Sequence, residues 1–190
     1  MKHFLFAFLI SLLTFAGAVQ AETKEIRGVD VPTTLQAGET ELVLNGGERR
    51  RRWMMQLYIG ALYLDEPTDD IEQILDMDTA KAVTMHITSG MINRDRLVGS
   101  IEDGFEAALD GDMAPVQEQV DMLIAAFDEE VEDGDLVELI YVPGDGVRIK
   151  HNGSEVGHVE GDETFTKALF NIWLGDNPAQ EALKQGMLGR

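Results

Sequence analysis

The chain has 190 residues, 35 of them acidic and 15 basic, for a formal net charge of −20, and it has no cysteine. The length fits one domain, and the charge opposes binding to DNA, RNA or anionic lipid heads, whose affinity rests on neutralised phosphates. The lack of cysteine excludes disulfide scaffolds, cysteine-type zinc sites and thiol catalysis, so stability must come from the core.

Residues 1–21 read as a signal peptide. Lys2 and His3 precede an almost wholly apolar run, Phe4 to Phe15, and Val19-Gln20-Ala21 supplies small residues at the usual cleavage spacing. The run is shorter than the roughly 20 apolar residues that span a bilayer. Cleavage after Ala21 is expected, with a mature domain over 22–190, periplasmic or secreted, and no integral membrane segment. Removing Lys2, the leader's one charged residue, takes the net charge from −20 to −21, which suits a soluble monomer.

Residues 22–32 are polar and end at Pro32, which predicts a tail or a short edge strand. Strands are expected over 33–37 and 40–44, with Gly38 between them. Leu44 to Leu64 then opens with a turn signal, Asn45-Gly46-Gly47, crosses four arginines, Arg49 to Arg52, and runs into the apolar stretch Trp53–Leu64. Trp, Tyr, Ile and Leu favour a pleated, part-buried surface, so this stretch reads as a long strand closed by Pro67. Alternation puts Arg50, Arg52 and Tyr58 on one mixed face. Charge runs are usually solvated, and the plain expectation for the arginines is a wet strand end.

Asp69 and Asp70 predict the cap of a short helix over 71–75. Ala80–Thr88 reads as a strand, with His86 hydrogen-bonded beside Thr84 and Thr88. Asn93 is expected to cap a helix to about Asp110, because Leu97, Ile101, Phe105 and Leu109 recur at i, i+4. A second helix is expected from Pro115 through Phe127. The acidic stretch 128–135 fails as a calcium loop, since Val131 would fall at a ligating position. Strands over 136–142, 147–150 and 156–159 make a meander with turns at Pro143–Gly146 and Asn152-Gly153. His151 and His158 flank the second turn and are placed to face each other. Helices over 163–174 and from Asn177-Pro178 to the end close the chain. This order predicts an α+β domain, an open-faced antiparallel sheet covered on one face by helices.

No nucleophile elbow, phosphate loop or helical metal pair is present, so no metal and no cofactor are expected. What remains is the arginine block, Tyr58 and an apolar interior. An arginine at the mouth of an apolar cleft binds a carboxylate bidentately, and a tyrosine hydroxyl adds a second bond. Arg50 and Arg49 are the candidate cations and Tyr58 the candidate hydroxyl, for a lipophilic carboxylate such as a fatty acid. On a straight strand Arg50 and Tyr58 stand roughly 26 Å apart, so the strand must bend between them.

Three stretches carry a family resemblance: LNGGERRRRWMMQLYIGALYL from Leu44, SIEDGFEAAL from Ser100, and FNIWLGDNPAQEALKQGMLG from Phe170. Together they resemble the chalcone isomerase-like proteins. The resemblance implies the open-faced sheet fold. Of the isomerase catalytic set it carries over the arginine, at Arg50 or Arg49. The remaining positions hold Tyr58, Leu97, Gly104 and Ile172, none of the types that the reaction uses there. It therefore points to the family's non-catalytic branch, in which an arginine and a tyrosine hold a fatty-acid carboxylate. The alternatives are an isomerase or lyase with Arg50 as electrophile and Tyr58 as general acid, and an envelope protein whose arginines dock on an acidic partner.

Overall fold

The computed structural model describes residues 22–190. The leader assigned to 1–21 lies outside them. Seven strands form one antiparallel sheet in sequence order: β3 (Thr34–Ala37), β4 (Thr40–Arg52), β5 (Met55–Leu64), β6 (Lys81–Ile87), β7 (Leu136–Val142), β8 (Gly146–His151) and β9 (Ser154–Val159). Before them, β1 (Thr23–Ile26) and β2 (Val29–Pro32) make a separate hairpin in place of the expected tail or edge strand. It turns at Arg27-Gly28, both at positive φ.

Helices α1 (Ile71–Asp76), α2 (Arg94–Ala108), α3 (Gln117–Ala125), α4 (Glu163–Leu174) and α5 (Glu181–Met187) complete the fold. Among them they cover one face of the sheet. Leu62, Leu64, Val83, Met85 and Leu139 point from the strands into one cluster with Leu97, Phe105, Leu123, Phe165 and Trp173 from the helices. The opposite face carries a smaller cluster in which Ile59, Ala61 and Tyr63 meet Ile26 and Val31 of the first hairpin. Each fully buried Leu, Ile or Phe contributes about 2 kcal/mol, so these two layers supply the stability that disulfides do not. The expected caps form at Asp70 and Asn93, which accept from the backbone of Gln73 and Arg96, and Asp162 caps α4 in the same way, accepting from Phe165 N.

Two departures from the sequence reading reshape the site. The first concerns Asn45-Gly46-Gly47, which is not a turn. It is a bulge in the middle of β4, where the register with β5 slips between Leu44 and Gly46. A Cβ on Gly46 would lie 2.3 Å from the Gly186 carbonyl oxygen, and one on Gly186 would lie 2.3 Å from Glu48 Cβ. The glycines let α5 lie directly on the strand. Asn45 fastens the contact, donating from Nδ2 to Met187 O at 2.8 Å and accepting from Thr68 N at 2.9 Å. The second departure is that Arg49–Arg52 and Trp53–Leu64 are not one strand. The chain reverses at Trp53, whose φ is +61°, so the arginines end β4 and the apolar run is β5.

Smaller corrections follow from local partners. The last helix begins at Glu181, because Ala179 N bonds back to Ile172 O at 2.7 Å and holds the preceding segment extended. The second central helix is confined to Gln117–Ala125. His151 and His158 do not face each other: His151 bonds Asp135 at 2.8 Å and His158 reaches Asp145 O at 2.7 Å. His86 Nε2, Thr84 Oγ1 and Thr88 Oγ1 are buried without a protein partner, in place of the expected histidine–threonine bonding.

Lys81 is 2% exposed, and its ammonium closes the C-terminus of α1, donating to Ile74 O at 2.7 Å and Met77 O at 2.9 Å. It also lies 5.3 Å from the Phe170 ring centroid. Burial pushes its pKa down to about 8, with Asp78 pulling the other way. The unfolded chain holds this proton more tightly, so the group costs stability below about pH 8 and that cost is relieved as pH rises toward the unfolded value. Urea unfolding of the wild type should therefore gain on the order of 1–2 kcal/mol between about pH 8 and 10, relative to Lys81→Met, which has no such proton. Parallel profiles for the two proteins would contradict this.

Candidate functional site

The hairpin at Trp53 brings Arg50 and Tyr58 together. They are direct cross-strand partners, Arg50 on β4 and Tyr58 on β5. Side chains so paired have Cβ atoms about 5 Å apart, in place of the roughly 26 Å of a straight strand. A second register slip, between Arg50 and Arg51, leaves Leu57 as an extra residue in β5. Such a bulge changes the parity of the strand. Met55 and Tyr58, three apart, therefore both reach the helix-covered side.

There they line a cavity of about 430 Å³ between the sheet, α2 and α4. Leu57, Met85, Leu97, Ile101 and Ile172 make its apolar wall, and Tyr58 and Trp173 contribute polar edges within it. Arg50, Arg52, Arg96 and Asp103 supply the charged groups of the lining, with Met55 and Met91 also contributing. The size falls within the range of small-molecule sites.

The polar groups are held in place. Trp173 Nε1 donates to Tyr58 Oη at 3.1 Å, and both residues are buried. Arg50, the cross-strand partner of Tyr58, stands close enough for its charge to act on the same hydroxyl. Both neighbours are donors, so the Tyr58 proton is left to bond an acceptor in the cavity. Burial pushes the Tyr58 pKa up, with the Trp173 bond and the Arg50 charge opposing, so the hydroxyl stays protonated at neutral pH. Arg50 is itself anchored through Nη1 to the Ala179 carbonyl, and Arg51 N donates to Gln180 Oε1 at 2.7 Å. The extended segment before α5 thus braces the end of β4. With one guanidinium N–H engaged there, the others remain to take both oxygens of a carboxylate.

Arg49 lies elsewhere. It pairs with Ile59, whose side chain belongs to the opposite face of the sheet, and it donates to Gln56 Oε1 at 2.8 Å. It is not among the cavity-lining residues, and the further cations there are Arg52 and Arg96. Leu97 and Ile172 line the cavity with Arg50 and Tyr58, whereas Gly104 does not. A Cβ on Gly104 would lie 2.8 Å from Ile172 Cγ2, so this glycine serves the packing of α2 on α4. The Leu97–Ile101 stripe gave no sign of a cavity, because the i, i+4 pattern of a core-facing helix also suits a helix that walls a pocket. The Trp173 donor had no local signal either, since it reaches Tyr58 across 115 residues of chain.

Among the described residues no cluster of histidine and carboxylate side chains is arranged to hold a metal ion, and no helix is long and apolar enough to cross a membrane. No curated protein matches the chain. Among solved structures, a fatty-acid binding protein of Arabidopsis thaliana superposes with a TM-score of 0.67 at 16% identity, over 85% of this chain and 92% of that one. At that identity the likeness establishes the curled antiparallel sheet and its helices. The sequence pattern of the chalcone isomerase-like family covers residues 23–189. The chain belongs to the chalcone isomerase-like family.

Proposed function

We propose that the protein binds a fatty acid or a lipophilic carboxylate of similar shape and performs no chemistry on it. One observation carries this reading: Arg50 and Tyr58 stand side by side as polar groups of an otherwise mainly apolar cavity. The carboxylate accepts from the Arg50 guanidinium and the Tyr58 hydroxyl, and the acyl chain runs between Leu97, Ile101, Met85 and Ile172. The non-catalytic part rests on the family resemblance, whose polar catalytic positions are held here by the apolar, cavity-lining Leu97 and Ile172. The structural neighbour's fatty-acid binding is in keeping with this reading. The leader-like start, Phe4 to Phe15 followed by Val19-Gln20-Ala21, supports an exported protein that handles its ligand outside the cytoplasm.

The test is a calorimetric titration with a long-chain fatty acid and with the alcohol of equal length. Charge-assisted hydrogen bonds contribute about 1.5–3 kcal/mol, so the acid should bind one to one and about 10- to 150-fold more tightly than the alcohol. Equal affinity would remove Arg50 from the reading, and no binding of either would remove the reading itself.

A further inference from the structure

The tip of the β4–β5 hairpin is not used by the core. Trp53 is 91% exposed and Met54 99% exposed, while Met55 and Met91, both cavity-lining residues, are 36% and 41% exposed. A tryptophan at positive φ, pushed into water at the apex of a turn, gains nothing from packing at home. Arg51 and Arg52 precede it and are exposed. Among the described residues neither makes an ion pair, and the nearest acid along the strand, Glu48, is taken by Arg27 Nε at 2.8 Å. Four of the chain's 15 basic residues therefore cluster at one end of a molecule whose net charge is −20. Asp103 is the acidic residue in the lining of the neighbouring cavity.

We infer that this tip is a docking finger for an anionic membrane surface. Trp53 and Met54 enter the headgroup region while Arg51 and Arg52 meet lipid phosphates. Tryptophan favours that interface, and an apolar point with a basic collar is the arrangement such surfaces hold. The −20 of the whole chain does not forbid it. At physiological salt, charges are screened beyond about 8 Å, so a surface that meets the tip first feels the arginines. An acidic protein partner accounts for the arginines alone, whereas a bilayer also takes the exposed tryptophan and methionine. Arg52 and Met55 belong both to this end of the hairpin and to the cavity lining, so docking sets the cavity against the lipid. Docking itself stands on the tip and does not depend on what fills the cavity; its use for loading or delivery rests on the fatty-acid reading.

The experiment mixes the mature chain with vesicles of phosphatidylglycerol or of phosphatidylcholine and reads cosedimentation and quenching by brominated lipid. Trp173 is buried at 3% exposure and gives a constant background. The inference expects binding to phosphatidylglycerol that weakens with salt, quenching of Trp53, and little binding to phosphatidylcholine. Arg51→Glu should weaken binding at least about five-fold. The double variant Trp53→Ser/Met54→Ser should weaken it at least about ten-fold while leaving fatty-acid titration unchanged, since neither residue lines the cavity. Equal association with both lipids, association untouched by either variant, or a tip that instead joins two copies in sedimentation without lipid would each overturn it. A protein that binds fatty acid but no vesicle fails this inference alone, and one that binds vesicles but no fatty acid fails the functional reading alone.

Discussion

Arg50→Ala is expected to weaken fatty-acid binding by about 30- to 150-fold and to leave the fold standing. Truncating one partner of a hydrogen-bonded charge pair costs roughly 2 kcal/mol or more, because the other charge is left in an apolar site without its counterion. Arg50 lies against Tyr58 in the cavity lining, so its loss strips the carboxylate of its cation and leaves Tyr58 alone. The structural cost is smaller. Its bond to the Ala179 carbonyl is lost, a change of about 1 kcal/mol. Arg50→Lys separates charge from geometry: it keeps the positive end but not the two-pronged grip, and should fall between the wild type and the alanine variant. Arg49→Ala should change affinity by less than about two-fold, since Arg49 faces the other side of the sheet. Displacement titration of a fluorescent fatty acid measures all three. If Arg49, Arg51 and Arg52 matter as much as Arg50, the arginines act as a charge patch and not as a carboxylate site.

The second large effect is on stability. In Gly46→Ala the added carbon lies 2.3 Å from Gly186 O, 2.9 Å from Gly189 N and 3.0 Å from Met187 O. All three are backbone atoms, so no side chain can swing aside and α5 must lift from β4. That helix carries Leu183 and Met187, both fully buried, and a Cβ on Gly60 would lie 2.8 Å from Met187 Cε and 3.2 Å from Tyr58 Cε2. Lifting it loosens the packing behind Tyr58 as well. Overpacking of this kind costs up to about 3 kcal/mol, which in a domain of this size lowers Tm by roughly 6–12 °C. Gly186→Ala should do the same from the helix side. The double variant should cost less than the sum, because both carbons strain one contact. A Tm within about 2 °C of wild type for either single variant would show that α5 does not lie on the strand as described.

Much of the fold was legible because it is local. The period of two in 81–87, the i, i+4 stripe of α2 and the caps at Asp70 and Asn93 are each set within a few residues. The site was legible in its residue types but not in its geometry. Glycines after asparagine read equally as a turn or as a place where another backbone comes close, and at Asn45-Gly46-Gly47 the partner is a helix about 140 residues away. The true turn lies at Trp53, a residue with strand propensity and no turn signal. Putting the reversal at the glycines kept Arg50 and Tyr58 on one straight strand. Moving it to Trp53 makes them neighbours, and the same change turns Trp53 and Met54 out of the core and into solvent.

The most direct measurement is a crystal structure with a fatty acid brominated at its methyl end. Bromine anomalous density is expected among Met85, Leu97 and Ile101, with carboxylate oxygens within hydrogen-bonding distance of both the Arg50 guanidinium and Tyr58 Oη. A carboxylate bound away from Arg50, or a chain lying outside the cavity, would contradict it.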